Sequence, residues 1–227
     1  MNTWIPLTIV ASVIFIGFIK SYMDYNSKSN QNEFAIEFLN NYREFCNELF
    51  KNNFDEEKYQ WLKLNSSKMQ SSMGRYGIAA SYKPGGANYF SKNYQVIVNS
   101  LPEIRNQYRR MINGFGLSFE WRMLEETVRM IEEVLLTYIG AQSNIVEDAK
   151  KELRNPLIWL REGVRFIVTS PISLFYWSGL MQYSTYNTIS NNFFVKLISF
   201  LIGLIGLISS IVTIVTGYTP FKNIIGF

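Results

Sequence analysis

The chain has 227 residues, 48% of them hydrophobic and 16% aromatic, with a formal net charge of +4 and no histidine. A chain without histidine has no Ser-His-Asp triad and no histidine metal site. Its one cysteine, Cys46, is too few for a thiolate zinc site or an intramolecular disulfide. We therefore expect a non-enzymatic protein with no catalytic residues, no metal and no cofactor.

An uncharged apolar run over residues 4–19 is the first predicted element, within an anchor of residues 1–20. A bilayer core of about 30 Å needs roughly 20 apolar residues in a helix, with about 17 as the lower bound. The run therefore reaches the short limit of a transmembrane helix. No Lys or Arg precedes it and residues 17–20 make a poor cleavage site, so we expect a retained anchor rather than a cleaved signal peptide.

Positive charge close to the anchor predicts its orientation. Lys20 and Lys28 follow the apolar run, and residues 21–30 form a predicted linker. Because Lys and Arg beside a span favour the cytoplasmic side, the N-terminus is predicted outside and the central domain in the cytoplasm. Residues 30–155 carry sixteen Lys and Arg and sixteen Asp and Glu. Much of the sequence pI near 9.0 thus reflects membrane topology.

Residues 31–155 are predicted to form a soluble helical bundle. Residues 31–51 place an aromatic stripe on one helical face, and Cys46 beside that stripe is expected to be buried and inert. Residues 118–154 place apolar residues on the seam of a coiled coil or a bundle. The two predicted stripes are Phe34, Phe38, Tyr42, Phe45 and Leu49, and Leu124, Val128, Ile131, Leu135 and Tyr138.

The middle of this domain, residues 58–110, is strongly basic. It contains nine Lys and Arg, interleaved with aromatic residues, and one acid, Glu103. The local signals predict helix up to about Met73, a loop centred on residues 82–88, and helix again from about Pro102. The candidate contacts for an anionic ligand or lipid are Arg75, Lys83, Lys92, Arg105, Arg109 and Arg110.

Three interpretations of the basic middle are open. The acidic flanks, with seven acids against two bases over residues 30–57 and eight against five over residues 111–155, predict internal charge pairing. Basic segments also bind anionic lipid headgroups. Basic and aromatic residues together suit a nucleotide or single-stranded nucleic acid. Gly85 and Gly86 do not favour a phosphate loop, because no Gly-Lys-Ser/Thr follows them.

The C-terminal region begins with a predicted amphipathic helix over residues 156–165, lying in the headgroup layer. Residues 166–183 are uncharged but contain Pro171, and they predict either a kinked second span or a re-entrant segment. Tryptophan and arginine suit the membrane surface. The predicted membrane-interface residues are Trp159, Arg161, Arg165 and Trp177.

A further span, which follows residues 166–183 in the chain, completes the predicted membrane hairpin. An uncharged loop over residues 184–193 precedes a transmembrane helix over residues 194–218 and a tail over residues 219–227. Positive residues beyond the outer ends of the two segments favour a hairpin whose tip lies outside, whereas Lys196 opposes it because its side chain would have to snorkel. Small residues allow close helix approach in the last span. They are Gly203, Gly206 and Ser210.

The predicted fold class is mainly α, in a multi-pass protein of a bacterial cell membrane. We expect a scaffold or adaptor whose cytoplasmic domain binds a protein partner, the other predicted partners being the lipid bilayer and a second copy of the chain. The alternative is an oligomeric membrane-perturbing effector or small channel, gated by a ligand or partner at the basic middle. The spans lack the ionisable residues that mark a conduction path, which favours the first interpretation.

Overall fold

The computed structural model describes residues 4–83, 90–112, 117–190, 192–198, 200–202, 205–206, 208–209 and 212. The protein is mainly helical. Its helices are α1 (Trp4–Phe50), α2 (Glu56–Met73), α3 (Val96–Ile112), α4 (Leu117–Glu152), α5 (Pro156–Trp177) and α6 (Tyr183–Ser190), with a 3₁₀ turn at Gly74–Gly77. Strands β1 (Ile78–Tyr82) and β2 (Ser91–Gln95) form an antiparallel hairpin between α2 and α3.

The chain divides into two compact units. The terminal unit comprises Met1–Ser27 and Glu147–Phe227, and the central unit comprises Lys28–Val146. One described helix, α1, is long and apolar enough to cross a membrane, by length and composition. Only 6% of its apolar window is buried in protein, whereas the core helix of a soluble protein would be mostly buried. An apolar surface that protein leaves uncovered is suited to lipid.

The core of the central unit is built from one apolar face of each of four helices. The predicted stripe of α1 is confirmed, since Phe38, Tyr42, Phe45 and Leu49 are at most 1% exposed and Phe34 packs against the core. The predicted α4 seam is confirmed too, and α2 and α3 complete the core. Its buried members from α2, α3 and α4 include Tyr59, Leu62, Met69, Met73, Ile97, Leu101, Ile104, Tyr108, Leu124, Val128, Ile131, Leu135 and Tyr138.

Polar contacts fix α1 against α4 within this core. The buried Tyr42 hydroxyl donates to the Val128 carbonyl over 2.9 Å. Arg43 Nε lies 2.7 Å from Glu132 Oε1 at the edge of the same contact. A buried hydroxyl needs an acceptor, so the Tyr42 bond fixes which α1 face meets α4. The α4 seam therefore belongs to a bundle within one chain.

Helix α1 also continues through residues 21–30, where a linker was predicted. The stretch is helical because it contains no proline or glycine to break the helix, and the boundary between the two compact units falls within it, after Ser27. The helix ends instead at Phe50, and Asn52 in the turn that follows has a positive φ of 59°, the left-handed conformation common just past a helix C-terminus. The amides of Asn52 and Asn53 donate back to the carbonyls of Leu49 and Glu48 over 3.1 and 3.0 Å.

Helix α3 begins at Val96, six positions before the predicted start at Pro102. Proline favours the first turn of a helix, which is why the sequence indicated a start there. Inside the helix, Pro102 has no amide to bond the carbonyl of Val98. Lys63 Nζ lies 3.4 Å from that carbonyl and donates to it. A neighbouring helix thus satisfies the group that the proline leaves unpaired.

The buried Gln70 side chain joins α2 to both ends of the hairpin. Its Nε2 donates to the Gly77 carbonyl over 2.8 Å, and its Oε1 accepts from the Ile97 amide over 3.0 Å. The first amides of a helix have no partner within it, so Gln70 caps α3 from outside. The side chain also excludes a Cβ at Gly77, which would lie 2.5 Å from Gln70 Nε2.

Replacing Gln70 by leucine should destabilise the central unit by about 2–4 kcal/mol, because two buried backbone groups lose their partners at roughly 1–3 kcal/mol each. Chemical unfolding of the full chain in detergent micelles, followed by circular dichroism, measures the change. Gln60→Leu is the matched control, since Gln60 lies exposed on the same helix. Equal unfolding free energies for the two variants would contradict the capping role.

In the terminal unit, α5 covers two predicted segments without a break. Residues 156–165 and the start of residues 166–183 belong to one helix. Asn155 caps it by accepting from the Leu157 amide over 3.0 Å. It ends before Gly179, where φ is 77° and the amides of Gly179 and Leu180 donate to Tyr176 and Phe175. The predicted loop at residues 184–193 is also corrected, since Tyr183–Ser190 form α6.

Candidate functional site

Two glycines bring α1 and α5 into backbone contact in the terminal unit. A Cβ added to Gly17 would lie 1.7 Å from the Trp159 carbonyl oxygen, and one added to Gly163 would lie 2.0 Å from the Val13 carbonyl oxygen. Each helix therefore needs a glycine where the other crosses it. Small residues that let helix backbones approach are the usual basis of close packing between membrane helices.

A cluster of charges surrounds the carboxylate of Glu162, next to this crossing. Lys20 Nζ lies 3.0 Å from Glu162 Oε2, Arg161 Nε lies 3.0 Å from Oε1, and Arg165 Nη1 lies 3.8 Å from Oε2. Burial opposes ionisation of Glu162, but these cations hold the pKa of its carboxyl below the ordinary value. The cluster joins α1 to α5 beside the glycines.

The predicted interface residues have different surroundings. Trp159 is half-buried, its ring centre 5.0 Å from that of Phe18 in an edge-to-face contact, and its buried Nε1 has no hydrogen-bond partner among the described residues. Arg161 and Arg165 belong to the Glu162 cluster. Trp177, at the end of α5, is 73% exposed. Of these four residues, Trp177 is therefore the most exposed.

The small residues predicted to pack in the last span lie mainly outside the described part of the chain. Gly203 and Ser210 are among the residues that the structure does not describe. A Cβ added to Gly206 would meet nothing within 4 Å among the described atoms. The glycine contact that the structure does describe is between Gly17 and Gly163, which the sequence analysis missed. A glycine in each of two adjoining apolar helices was the available signal.

Ion pairs within the chain neutralise part of the positive charge of residues 58–110. Lys58 Nζ lies 2.9 Å from Glu44 Oε2, and Arg105 Nη2 lies 2.9 Å from Glu56 Oε1. Cations also lie over aromatic rings: the Lys68 ammonium is 3.7 Å from the centre of the Phe34 ring, and the guanidinium of the same Arg105 is 4.9 Å from that of Tyr59. These contacts hold the helices together.

Four of the predicted basic residues have no recorded partner in the part of the chain that the structure describes. All four are exposed, and they lie on three elements rather than in one cluster: the 3₁₀ turn, β2 and the last turn of α3. They are Arg75, Lys92, Arg109 and Arg110. Lys83 lies near Phe90, its ammonium 5.8 Å from the ring centre. The rest of the predicted loop, residues 84–88, lies outside the described residues.

Aromatic side chains of the hairpin form a polar cluster with α3. The rings of Tyr82 and Tyr94 are 4.2 Å apart, and their hydroxyls donate to Glu103 Oε2 over 3.4 and 3.2 Å. Burial, with the nearby charge of Glu103, raises the pKa of Tyr82 to about 12. The tyrosines are therefore neutral donors at physiological pH. Their contacts explain why aromatic residues occur among the cations.

An apolar cleft lies where α1, α3 and α4 meet at one end of the central unit. It has a volume of about 420 Å³ and is lined by Asn52, Met111, Ile112 and Trp121. Ile112 is 59% exposed. The cleft forms because the chain turns at Asn52 and α3 ends at Ile112. The basic pair Arg109 and Arg110 directly precedes Met111 in the last turn of α3.

The single cysteine is confirmed as a buried core residue. Cys46 is 5% exposed, and burial raises the pKa of its thiol to about 12. At pH 8 about one thiol in 10⁴ is then ionised, against roughly a quarter for an ordinary cysteine.

We expect iodoacetamide to modify Cys46 at least ~1,000-fold more slowly in the folded chain than in the chain unfolded by guanidinium, as mass spectrometry would show. Similar rates would contradict the burial.

No group of three or more His, Cys, Asp or Glu residues that could hold a metal ion occurs among the described residues. Comparison of the chain with protein-family models, curated proteins and solved structures gives no match.

Proposed function

We propose that this chain is a non-enzymatic integral membrane protein that holds a protein partner at the bilayer. The observation that carries the proposal is the apolar cleft at the end of α3, the helix whose last turn carries Arg109 and Arg110. An apolar cavity of about 420 Å³ open at the surface, with lining residues from three elements, is suited to an inserted side chain.

The charge beside the cleft indicates which partner suits it. Arg109 and Arg110 are exposed and have no acidic partner among the described residues. Both lie in the last turn of α3, where their positive charges interact favourably with the negative end of the helix dipole. This interaction is their local role. A partner segment with apolar anchors and acidic flanking residues would match both the cleft and the arginines. We therefore propose an acidic amphipathic segment as the bound element.

Membrane attachment is proposed to use the apolar N-terminal part of α1 and the helices of the terminal unit. The exposed apolar window of α1 supports lipid contact there. The Gly17–Gly163 contact supports a packed helix pair. Exposed Phe193, Phe194 and Ile198 support a further apolar contact near the C-terminus. The proposed topology is multi-pass, with the N-terminus outside and the central unit in the cytoplasm.

Photocrosslinking tests the cleft. A benzophenone side chain at Ile112 should give a discrete adduct in membranes of the source organism, whereas one at Leu64, which is 84% exposed on α2, should not. Arg109→Glu with Arg110→Glu should remove most of the adduct, since the acidic flank is then repelled. The matched control is Arg75→Glu with Lys92→Glu, two exposed cations on other elements. The same adducts from both crosslinker positions would contradict a specific cleft.

Dye entry and membrane potential in bacterial cells distinguish this proposal from the pore-forming alternative. Cells that express the full chain should keep intact membranes, as should cells with equal amounts of a chain ending at residue 192. Depolarisation by the full chain alone would contradict the scaffold and favour the membrane-perturbing effector.

A further inference from the structure

Helices α1 and α5 pass each other in opposite directions at their glycine crossing. Gly17 of α1 lies against Trp159 of α5, and Val13, one turn earlier on α1, lies against Gly163, one turn later on α5. Lower residue numbers on one helix thus meet higher numbers on the other. The N-terminal part of α1 and the C-terminal part of α5 therefore lie on the same side of the crossing.

The Glu162 cluster lies at the end of an uncharged stretch on each helix. Residues 4–19 of α1 contain no charged residue, and Lys20 follows them directly. Residues 166–177 of α5 contain none either, and Arg165 precedes them directly. With both stretches in the hydrocarbon of a bilayer, the cluster is at the level of the lipid headgroups.

Positive charge exceeds negative charge in this cluster, and the positive groups are the more exposed. The side chains of Lys20 and Arg161 are 38% and 50% exposed, whereas that of Glu162 is 15% exposed. With Glu152, whose Oε1 lies 3.7 Å from Arg161 Nη2, the cluster contains three cations and two carboxylates. Lys20 and Arg165 contact the same oxygen of Glu162. Because cations held this close repel each other, a further anion would stabilise them.

Hydrogen-bond donors and exposed apolar side chains occur together at this position. One ammonium and two guanidinium groups have more N–H donors than two carboxylates have lone pairs, so donors remain for a phosphate. Ile19 directly precedes Lys20, and Phe166 and Ile167 directly follow Arg165; the three apolar residues are 42–47% exposed. A soluble anion would use the donors alone. A phospholipid would contact the donors with its phosphate and the apolar residues with its acyl chains.

We infer that the Glu162 cluster binds the phosphate of an anionic phospholipid, an assignment that rests on the proposed membrane attachment. Lys20, Arg161 and Arg165 donate to the phosphate oxygens, and the acyl chains lie along the neighbouring apolar residues. A zwitterionic lipid is the poorer ligand, because the excess positive charge repels its cationic headgroup. The proposed cytoplasmic position of the cluster matches the leaflet whose surface is negatively charged.

Spin-labelled lipids test the inference with the full chain in phosphatidylcholine vesicles. Labelled phosphatidylglycerol should associate with the protein about fivefold more strongly than labelled phosphatidylcholine, the ratio that ~1 kcal/mol of electrostatic attraction gives. Exchange of chloride for inorganic phosphate at constant ionic strength should leave this preference in place, and its loss would overturn the lipid assignment in favour of a soluble anion. Equal association of the two lipids would overturn the inference alone. Absence of an immobilised fraction for both lipids would overturn the membrane attachment with it.

Variants with opposite expected effects give the sharper comparison. Arg161→Gln should remove most of the preference for phosphatidylglycerol, whereas Glu162→Gln should raise it about fivefold, because one negative charge is lost from among the cations. Loss of the fold would not raise the preference. Arg154→Gln is the matched control, since Arg154 is an exposed cation just before α5 in the same unit. If Arg161→Gln and Arg154→Gln give the same preference, or if Glu162→Gln does not raise it, the assignment of this site is wrong.

Discussion

Replacing Gly163 by alanine should separate α1 from α5 and destabilise the terminal unit by about 3 kcal/mol. The added Cβ would lie 2.0 Å from the Val13 carbonyl oxygen, a backbone atom that cannot rotate away. Overpacking in a tight contact costs roughly 1–3 kcal/mol, and a backbone clash belongs at the upper end of that range. Gly17→Ala should have a similar effect, since its Cβ would lie 1.7 Å from the Trp159 carbonyl oxygen.

Titration of the full chain from mild detergent into SDS, followed by circular dichroism, measures this destabilisation. Gly140→Ala is the matched control, because a Cβ at Gly140 meets nothing within 4 Å. Alanine is the better helix former by up to about 1 kcal/mol, so the control should be neutral or stabilising. If Gly163→Ala were as stable as Gly140→Ala, the α1–α5 crossing described here would be contradicted.

The second large effect is expected in the central unit, where Phe45→Ala should cost about 3–5 kcal/mol. Phe45 is fully buried, and its ring centre lies 5.4 Å from that of Phe54 and 6.0 Å from that of Tyr59. Removing the ring leaves a cavity where α1, α2 and the loop between them meet. Domains of this size have only about 5–15 kcal/mol of stability, so the loss is a large fraction.

Urea unfolding of the full chain, followed by circular dichroism, would report the Phe45→Ala effect. Leu64→Ala on α2 provides the comparison, since Leu64 is 84% exposed and such a change should stay within about 0.5 kcal/mol. A Phe45→Ala loss no larger than that of Leu64→Ala would show that the aromatic stripe is not the core.

The sequence predicted the long helices well because their apolar residues recur at helical spacing. The stripe from Phe38 to Leu49 and the seam from Leu124 to Tyr138 are both buried. Burial of Cys46 followed from the same pattern. Periodicity does not report where a helix begins, however. Pro102 indicated a start at the wrong place, since the amide cap of α3 comes from Gln70, a residue distant in sequence.

The candidate sites were harder to predict because they depend on contacts between elements. Gly17 and Gly163 are 146 positions apart, and neither lies in a recognisable motif. Likewise, the cleft at Trp121 and the charge cluster at Glu162 exist only once the helices are packed. Charge balance was predicted in part: Lys58 and Arg105 pair with acids from the preceding segments, whereas Arg109 and Arg110 stay exposed.

Cysteine labelling in intact bacterial cells tests the central claim of a membrane protein with a cytoplasmic domain. Lys92→Cys in a Cys46→Ala background places one thiol on exposed β2. A membrane-impermeant maleimide should leave this thiol unlabelled in intact cells and label it after lysis, with the protein retained in carbonate-washed membranes. Labelling in intact cells, or release of the protein by carbonate, would contradict the account.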